Sequence, residues 1–127
     1  MGDVRATEML INQGDVYWIH PVTEHEMEPR VHHPHVIIQD DSLNHDPLIT
    51  TVSLCALTTN ARKISMPGNI LLDEGEASLP RQSIVEVAKI VTVAKTQLGE
   101  YIGSISENRI LQILDGNRFV EASFLNR

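Results

Sequence analysis

A small, mainly β domain, barrel or sandwich, closed by one C-terminal helix is the fold class this sequence predicts. Three observations carry it. Short β-branched runs recur between turn signals at fairly regular intervals, which is the pattern of an all-β barrel or sandwich. One of these runs, Leu48 to Thr58, is apolar enough to sit at the centre of a sheet. Only one segment, after Ser106, carries a helical apolar stripe.

Taken in order, "GDVYWIH" (Gly14 to His20) reads as the first strand, after a loose N-terminal segment over residues 1–11. The polar excursion "PVTEHEMEPRVHH" leads to a second strand in "HVIIQDD", and "SLNHDP" reads as a turn built on Asn44, Asp46 and Pro47. The central strand, Leu48 to Thr58, ends at the turns "TNARK" and "MPGN"; "NILLD" is a short strand. "EGEASLPRQ" is a loop before the strand Ser83 to Val93, whose Val85, Val87, Val91 and Val93 fall on one face by strict alternation, interrupted by Lys89. In the helix, Ser106 is the N-cap and Glu107 sits in the first turn, where the dipole favours an acid. Ile110, Ile113 and Leu114 form the stripe, and Gly116 reads as the C-terminal stop.

With 127 residues, the chain has room for one domain with a real core, spanning 1–127. No segment approaches the roughly 20 apolar residues of a membrane span, and "MGDVRATEML" lacks the basic-then-apolar order of a signal peptide. The expected location is the cytoplasm. The lone Cys55 cannot form an internal disulfide and is expected in the core. A formal net charge of −7 argues against non-specific nucleic-acid binding, which draws on clustered Lys and Arg. It leaves room for a local basic site, for which Arg30, Arg62 and Lys63 are available.

The densest chemistry lies in "EPRVHHPHVIIQDD", where Glu28, Arg30, His32, His33 and His35 precede a β-branched run. Such residues fit a metal site, an acid–base site, or a solvated loop without a role, and their chemistry alone leaves these open. In an extended segment His33 and His35 share a face, as Glu24, Glu26 and Glu28 can, but no distant ligand has matching spacing.

The order and spacing of several stretches resemble the MazF/PemK family of toxin endoribonucleases over roughly residues 12 to 120. "QGDVYWIH" sits at the family's opening strand, and "HHPHVIIQDD" at its "RP" plus apolar strand. "CALTTN" is similar to its strand end, "MPGNILLDEGEASLPRQSIV" to the turn, acidic loop and Gln-Ser that follow, and "GEYIGSISENRILQIL" to the lead into its last helix. The resemblance implies an SH3-like small β-barrel with a C-terminal α-helix, of the MazF/PemK/CcdB-like toxin kind. It also implies a homodimer that cuts single-stranded RNA to a 2′,3′-cyclic phosphate and a 5′-hydroxyl, with no cofactor and no metal, and that a cognate antitoxin blocks.

Carried over residue by residue, the resemblance places Glu28 on a family glutamate and His33 on the arginine of "RP", ahead of Pro34. A histidine there can stabilise phosphoryl charge when protonated and can also pass protons near neutral pH. Arg30 offers a fixed positive charge, and Thr58 matches the strand-end hydroxyl that bonds a phosphoryl oxygen. The expected catalytic set is therefore Glu28, His33, Thr58 and Arg30, with Glu28 or His33 handling the protons. Thr59, Asn60, Arg62, Lys63 and His35 are the expected RNA contacts. A second departure is "AKIVTVAK" (Ala88 to Lys95) in place of a strand of the type "EQIRTIDK"; Ala88, Lys89, Val91 and Ala94 break that pattern. It opens the alternative of a catalytically weak or inactive barrel that binds a partner protein or RNA. Trp18 reads as core or dimer interface.

Overall fold

Strand β3 (Thr51–Thr58) is buried along most of its length, as its continuous apolar run requires. It lies third in the antiparallel sheet of the computed structural model, which describes residues 10–19 and 33–125. The other strands are β1 (Asp15–Ile19), β2 (His35–Ile37), β4 (Ile70–Leu72), β5 (Ser83–Ala94) and β6 (Leu98–Ser104). Their order is β4-β5-β3-β2-β1-β6. A short helix α1 (Asp41–Asn44) follows β2, and the long helix α2 (Glu107–Leu125) ends the described chain. The mainly β fold with a terminal helix is therefore present. Strand pairing does not close the expected barrel: β4 and β6 remain edges.

A 3₁₀ turn, Glu76–Ser78, packs on the β6 edge. It comes so close to β6 that a Cβ on Gly103 would lie 2.2 Å from the Ala77 carbonyl oxygen. Ala77 (φ 53°) and Ser78 (φ 58°) both adopt left-handed backbone, which costs energy in residues with a side chain. Arg109 of α2 holds the turn in place by donating from Nε and Nη2 to the two Glu76 carboxylate oxygens, at 3.0 and 2.8 Å.

Two apolar clusters fill the molecule. The first joins Val16, Val36, Cys55, Leu57, Val85 and Val87 with Ile105 and Ile113 of the C-terminal segment. The second gathers Tyr17, Ile37, Val52 and Leu54 with Ile11 and Leu98. Alternate residues of β3 thus serve opposite clusters, so both faces of that strand are apolar.

Strand β5 departs from the expected alternation. Ala56 pairs with Glu86 but the adjacent Cys55 pairs with Ile90, leaving three extra residues on β5. An odd excess reverses which face later residues occupy. Val85 and Val87 pack in the first cluster, while Val93 packs against the second. The four valines therefore do not share one face.

Three further expectations need correction. "SLNHDP" opens inside α1, because Asp40 accepts a hydrogen bond from the Ser42 amide and so caps a helical turn. Leu98–Ser104 is a strand, not merely a lead into the helix. Gly116 does not end α2, which runs on to Leu125. A Cβ at Gly116 would stand 2.6 Å from the Gly68 carbonyl oxygen. The glycine therefore serves close packing of the helix on the 66–69 turn. Ser106 caps α2 as expected, its hydroxyl accepting from the Arg109 amide.

Candidate active site

The C-terminal end of β3 carries Leu57, Thr58 and Thr59 into a cleft of about 500 Å³. Leu57 and Leu79, both of the first cluster, form its apolar floor. His33 and Pro34 come in from the chain preceding β2, whose pairing is extended by the Leu57 amide donating to the Pro34 carbonyl at 2.9 Å. Trp18 of β1 and Arg81, which precedes β5, complete the walls used below. Trp18 is 37% exposed, so it is neither fully core nor fully surface.

Two of the four expected catalytic residues, His33 and Thr58, therefore line one cleft. Glu28 and Arg30 lie outside the described residues. The Thr58 hydroxyl oxygen accepts a hydrogen bond from the Asn60 amide at 3.1 Å. Its own proton stays available to donate, which suits a contact with a phosphoryl oxygen. Of the expected RNA contacts, Thr59 is in the cleft.

The other four expected contacts have different surroundings. Asn60 caps the 3₁₀ helix Ala61–Ser65, its side chain accepting from the Arg62 amide at 3.1 Å. Arg62 is exposed in that helix, and Lys63 stands 3.9 Å from Glu86. His35 lies in a cross-strand row with Tyr17, Ala56 and Glu86. Its ring nitrogen Nδ1 meets the His33 carbonyl at 3.0 Å. Burial holds the His35 imidazole below the usual histidine range. None of these four forms part of the cleft wall.

The alternative of a metal-binding histidine loop concerns residues of which only His33 and His35 are described. Among the described residues no three His, Cys, Asp or Glu side chains gather as a metal-binding group.

The model of PemK-like, MazF-like toxins of type II toxin–antitoxin systems matches residues 12–118. The chain belongs to this family. It is 31% identical over 112 residues to Endoribonuclease MazF2 of Mycobacterium bovis, covering 88% of this chain and 97% of that protein. The same figures hold for Endoribonuclease MazF6 of Mycobacterium tuberculosis. Solved structures share the fold at lower identity. An endoribonuclease in complex with its cognate antitoxin from Mycobacterial species matches with a TM-score of 0.69 and 20% identity, covering 88% of this chain and 95% of that one. A MazE–MazF structure from Deinococcus radiodurans matches with a TM-score of 0.70 and 10% identity, covering 89% and 97%.

Several family-like stretches have architectural work in this chain. In "GDV", Gly14 turns at φ +96° and its amide donates to the Ile37 carbonyl at 2.8 Å. Asp15 is buried and accepts from the Asn12 amide and the Ser104 hydroxyl. In "QDD", Asp41 accepts from the Gln13 amide at 2.7 Å, tying β1's approach to α1. Lys95, retained within "AKIVTVAK", donates to the carbonyls of Leu43, Asn44 and Asp46 and so closes the end of α1. Trp18 and Arg81 were not among the expected site residues. Nothing in a single sequence distinguishes "PRQ" from any polar loop, and only the folding of the 76–81 segment against β6 brings Arg81 to the cleft.

Proposed function

We propose that this chain is the toxin of a type II toxin–antitoxin pair and cleaves single-stranded RNA. The observation that carries the reading is the convergence of His33 and Thr58 on one cleft, in a family member 31% identical to curated endoribonucleases. Family relationship supports a cytoplasmic homodimer blocked by a cognate antitoxin, and residues 1–127 acting as one domain. Among the described residues no helix is long and apolar enough to cross a membrane.

RNA supplies its own nucleophile, the 2′-hydroxyl, which attacks the adjacent phosphorus and expels the 5′-oxygen. The products are a 2′,3′-cyclic phosphate and a 5′-hydroxyl. The protein's task is to take one proton, give another, and stabilise charge on the nonbridging oxygens. His33 is assigned to proton transfer, with Glu28 as its counterpart. Thr58 donates its hydroxyl proton to a phosphoryl oxygen, and Arg30 adds positive charge there.

The test is cleavage of a mixed-sequence single-stranded RNA in EDTA by wild type, His33→Ala and Thr58→Ala, with the product ends identified. The expected result is cyclic phosphate ends from wild type and a loss of about 100-fold or more in each variant, the scale of one lost acid–base group or charge-stabilising donor. A folded wild type that binds RNA without cutting it would replace this reading with the binding module, which the "AKIVTVAK" strand favours.

A further inference from the structure

A phosphodiester enters the cleft with a negative charge, and charge builds on its oxygens as the 2′-oxygen attacks. The described cleft wall holds no carboxylate and a single permanently charged side chain, Arg81. The protein around it carries a formal net charge of −7, so a cation is not the default here. Arg109 is engaged with Glu76, Arg118 with Asp115, and Lys63 and Lys89 with Glu86. Arg81 has no such carboxylate partner among the described residues, and it is an exposed residue of the cleft wall.

The backbone that presents Arg81 is fixed from both sides. Upstream, the left-handed turn at Ala77 and Ser78 is clamped by the Glu76–Arg109 pair, and the Gly75 amide donates to the Leu79 carbonyl at 2.8 Å. Pro80 then restricts the chain directly before Arg81. Downstream, the buried Ser83 donates its hydroxyl to the Arg81 carbonyl at 2.9 Å. Backbone strain held by surrounding contacts is a known way of pre-organising a functional side chain.

We propose that Arg81 is a substrate-binding residue of the cleft, its guanidinium pairing with nonbridging phosphate oxygens of the RNA beside Thr58 and His33. This rests on the ribonuclease reading above and adds to it a permanent cation of the described cleft wall, present whether or not His33 is protonated. A planar guanidinium suits two oxygens of one phosphate, which an ammonium does not match.

The experiment compares wild type, Arg81→Ala, Arg81→Gln, Arg81→Lys and Arg118→Ala on the RNA that wild type cleaves, from about 50 to 300 mM salt. Arg81→Ala and Arg81→Gln are expected to lose about 10- to 100-fold in kcat/KM, the scale of a charge-assisted contact. Their dependence of log affinity on log salt should be shallower by about 0.7, as for one lost single-strand phosphate contact. Arg81→Lys should recover part of the loss, and Arg118→Ala should track wild type. Wild-type cleavage with Arg81→Ala and Arg81→Gln within about threefold of it, and an unchanged salt slope, overturns the assignment of Arg81 alone. A wild type that neither binds nor cleaves RNA overturns the functional reading, and this inference with it.

Discussion

Replacing Gly103 by alanine places a methyl group inside the Glu76–Ser78 turn. The new Cβ would lie 2.2 Å from the Ala77 oxygen, 2.5 Å from its carbonyl carbon and 3.0 Å from its Cα, where ordinary contact begins at 3.4 Å. The shortfall is about 1.2 Å, from the 3.4 and 2.2 Å values, and all three obstructing atoms are backbone. Neither side yields easily. Gly103 is paired with Val16 in the sheet, and the turn is held by Glu76, which accepts from Arg109 and from the Asp73 amide at 2.7 Å. Overpacking of this kind costs about 1–3 kcal/mol. Pushing the turn off β6 would also weaken the partly exposed Glu76–Arg109 pair, worth about 1 kcal/mol. The sum is about 2–4 kcal/mol, which for a domain of this size lowers Tm by about 8–15 °C.

Thermal unfolding followed by circular dichroism measures this directly, with Gly75→Ala as the comparison. Gly75 also has a positive φ, +95°, but an added Cβ there meets nothing within 4 Å. Its substitution should cost only the backbone term, about 1 kcal/mol. A Gly103→Ala protein melting within about 2 °C of wild type, or no lower than Gly75→Ala, would refute the reasoning, because the turn would then be free to move away from β6.

Two further outcomes follow from the electrostatics. The Arg109 hydrogen bonds hold the Glu76 carboxyl below its usual 4.5, so the folded state favours the ionised form. The stability Glu76 contributes is complete above that usual value and disappears as pH falls through the lowered folded value. The Tm gap between wild type and Glu76→Gln should accordingly be widest near neutral pH and narrow as pH falls below the usual 4.5; a gap independent of pH refutes the linkage. Burial pushes the Cys55 thiol up to about 11. The native protein should resist a thiol reagent at about pH 8 and react on unfolding, and prompt native labelling would show that the thiol is accessible.

Much of the fold was legible because local and global preferences agree. The apolar run of β3 announced a strand buried on both faces, and Ser106 announced the start of α2. Family-like motifs were legible for a related reason: Gly14, Asp15 and Asp41 make contacts that the strand junctions need. Strand β6 was hidden because "LGEYIGS" mixes two glycines and a glutamate with its apolar residues, and its partner β1 is distant in sequence. Gly116 misled because a glycine that lets a helix approach a turn looks the same, in one chain, as a glycine that ends a helix. At the site, Thr58 came from the family resemblance rather than from its strand end alone, and the structure brings it to the cleft. Arg81 carried no such signal, since its place in the cleft follows a left-handed turn that alanine and serine do not advertise. Asn60 and Lys63 sit near Thr58 in sequence, yet a cap and an ion pair engage them elsewhere.

The three-residue slip of β5 against β3 sets a rule for how this segment can change length. Between Val87 and Lys89, adding or removing two residues preserves which side chains meet the second cluster. Adding or removing one, with the slip itself unchanged, would turn Val93 away from the second cluster and bring Thr92 towards it, and would separate the Ser53 and Thr92 hydroxyls now 3.0 Å apart. Relatives that vary here should therefore do so in even steps, or else exchange their hydrophobic and polar positions downstream at the same time. The stretch is tolerant of composition and strict about parity.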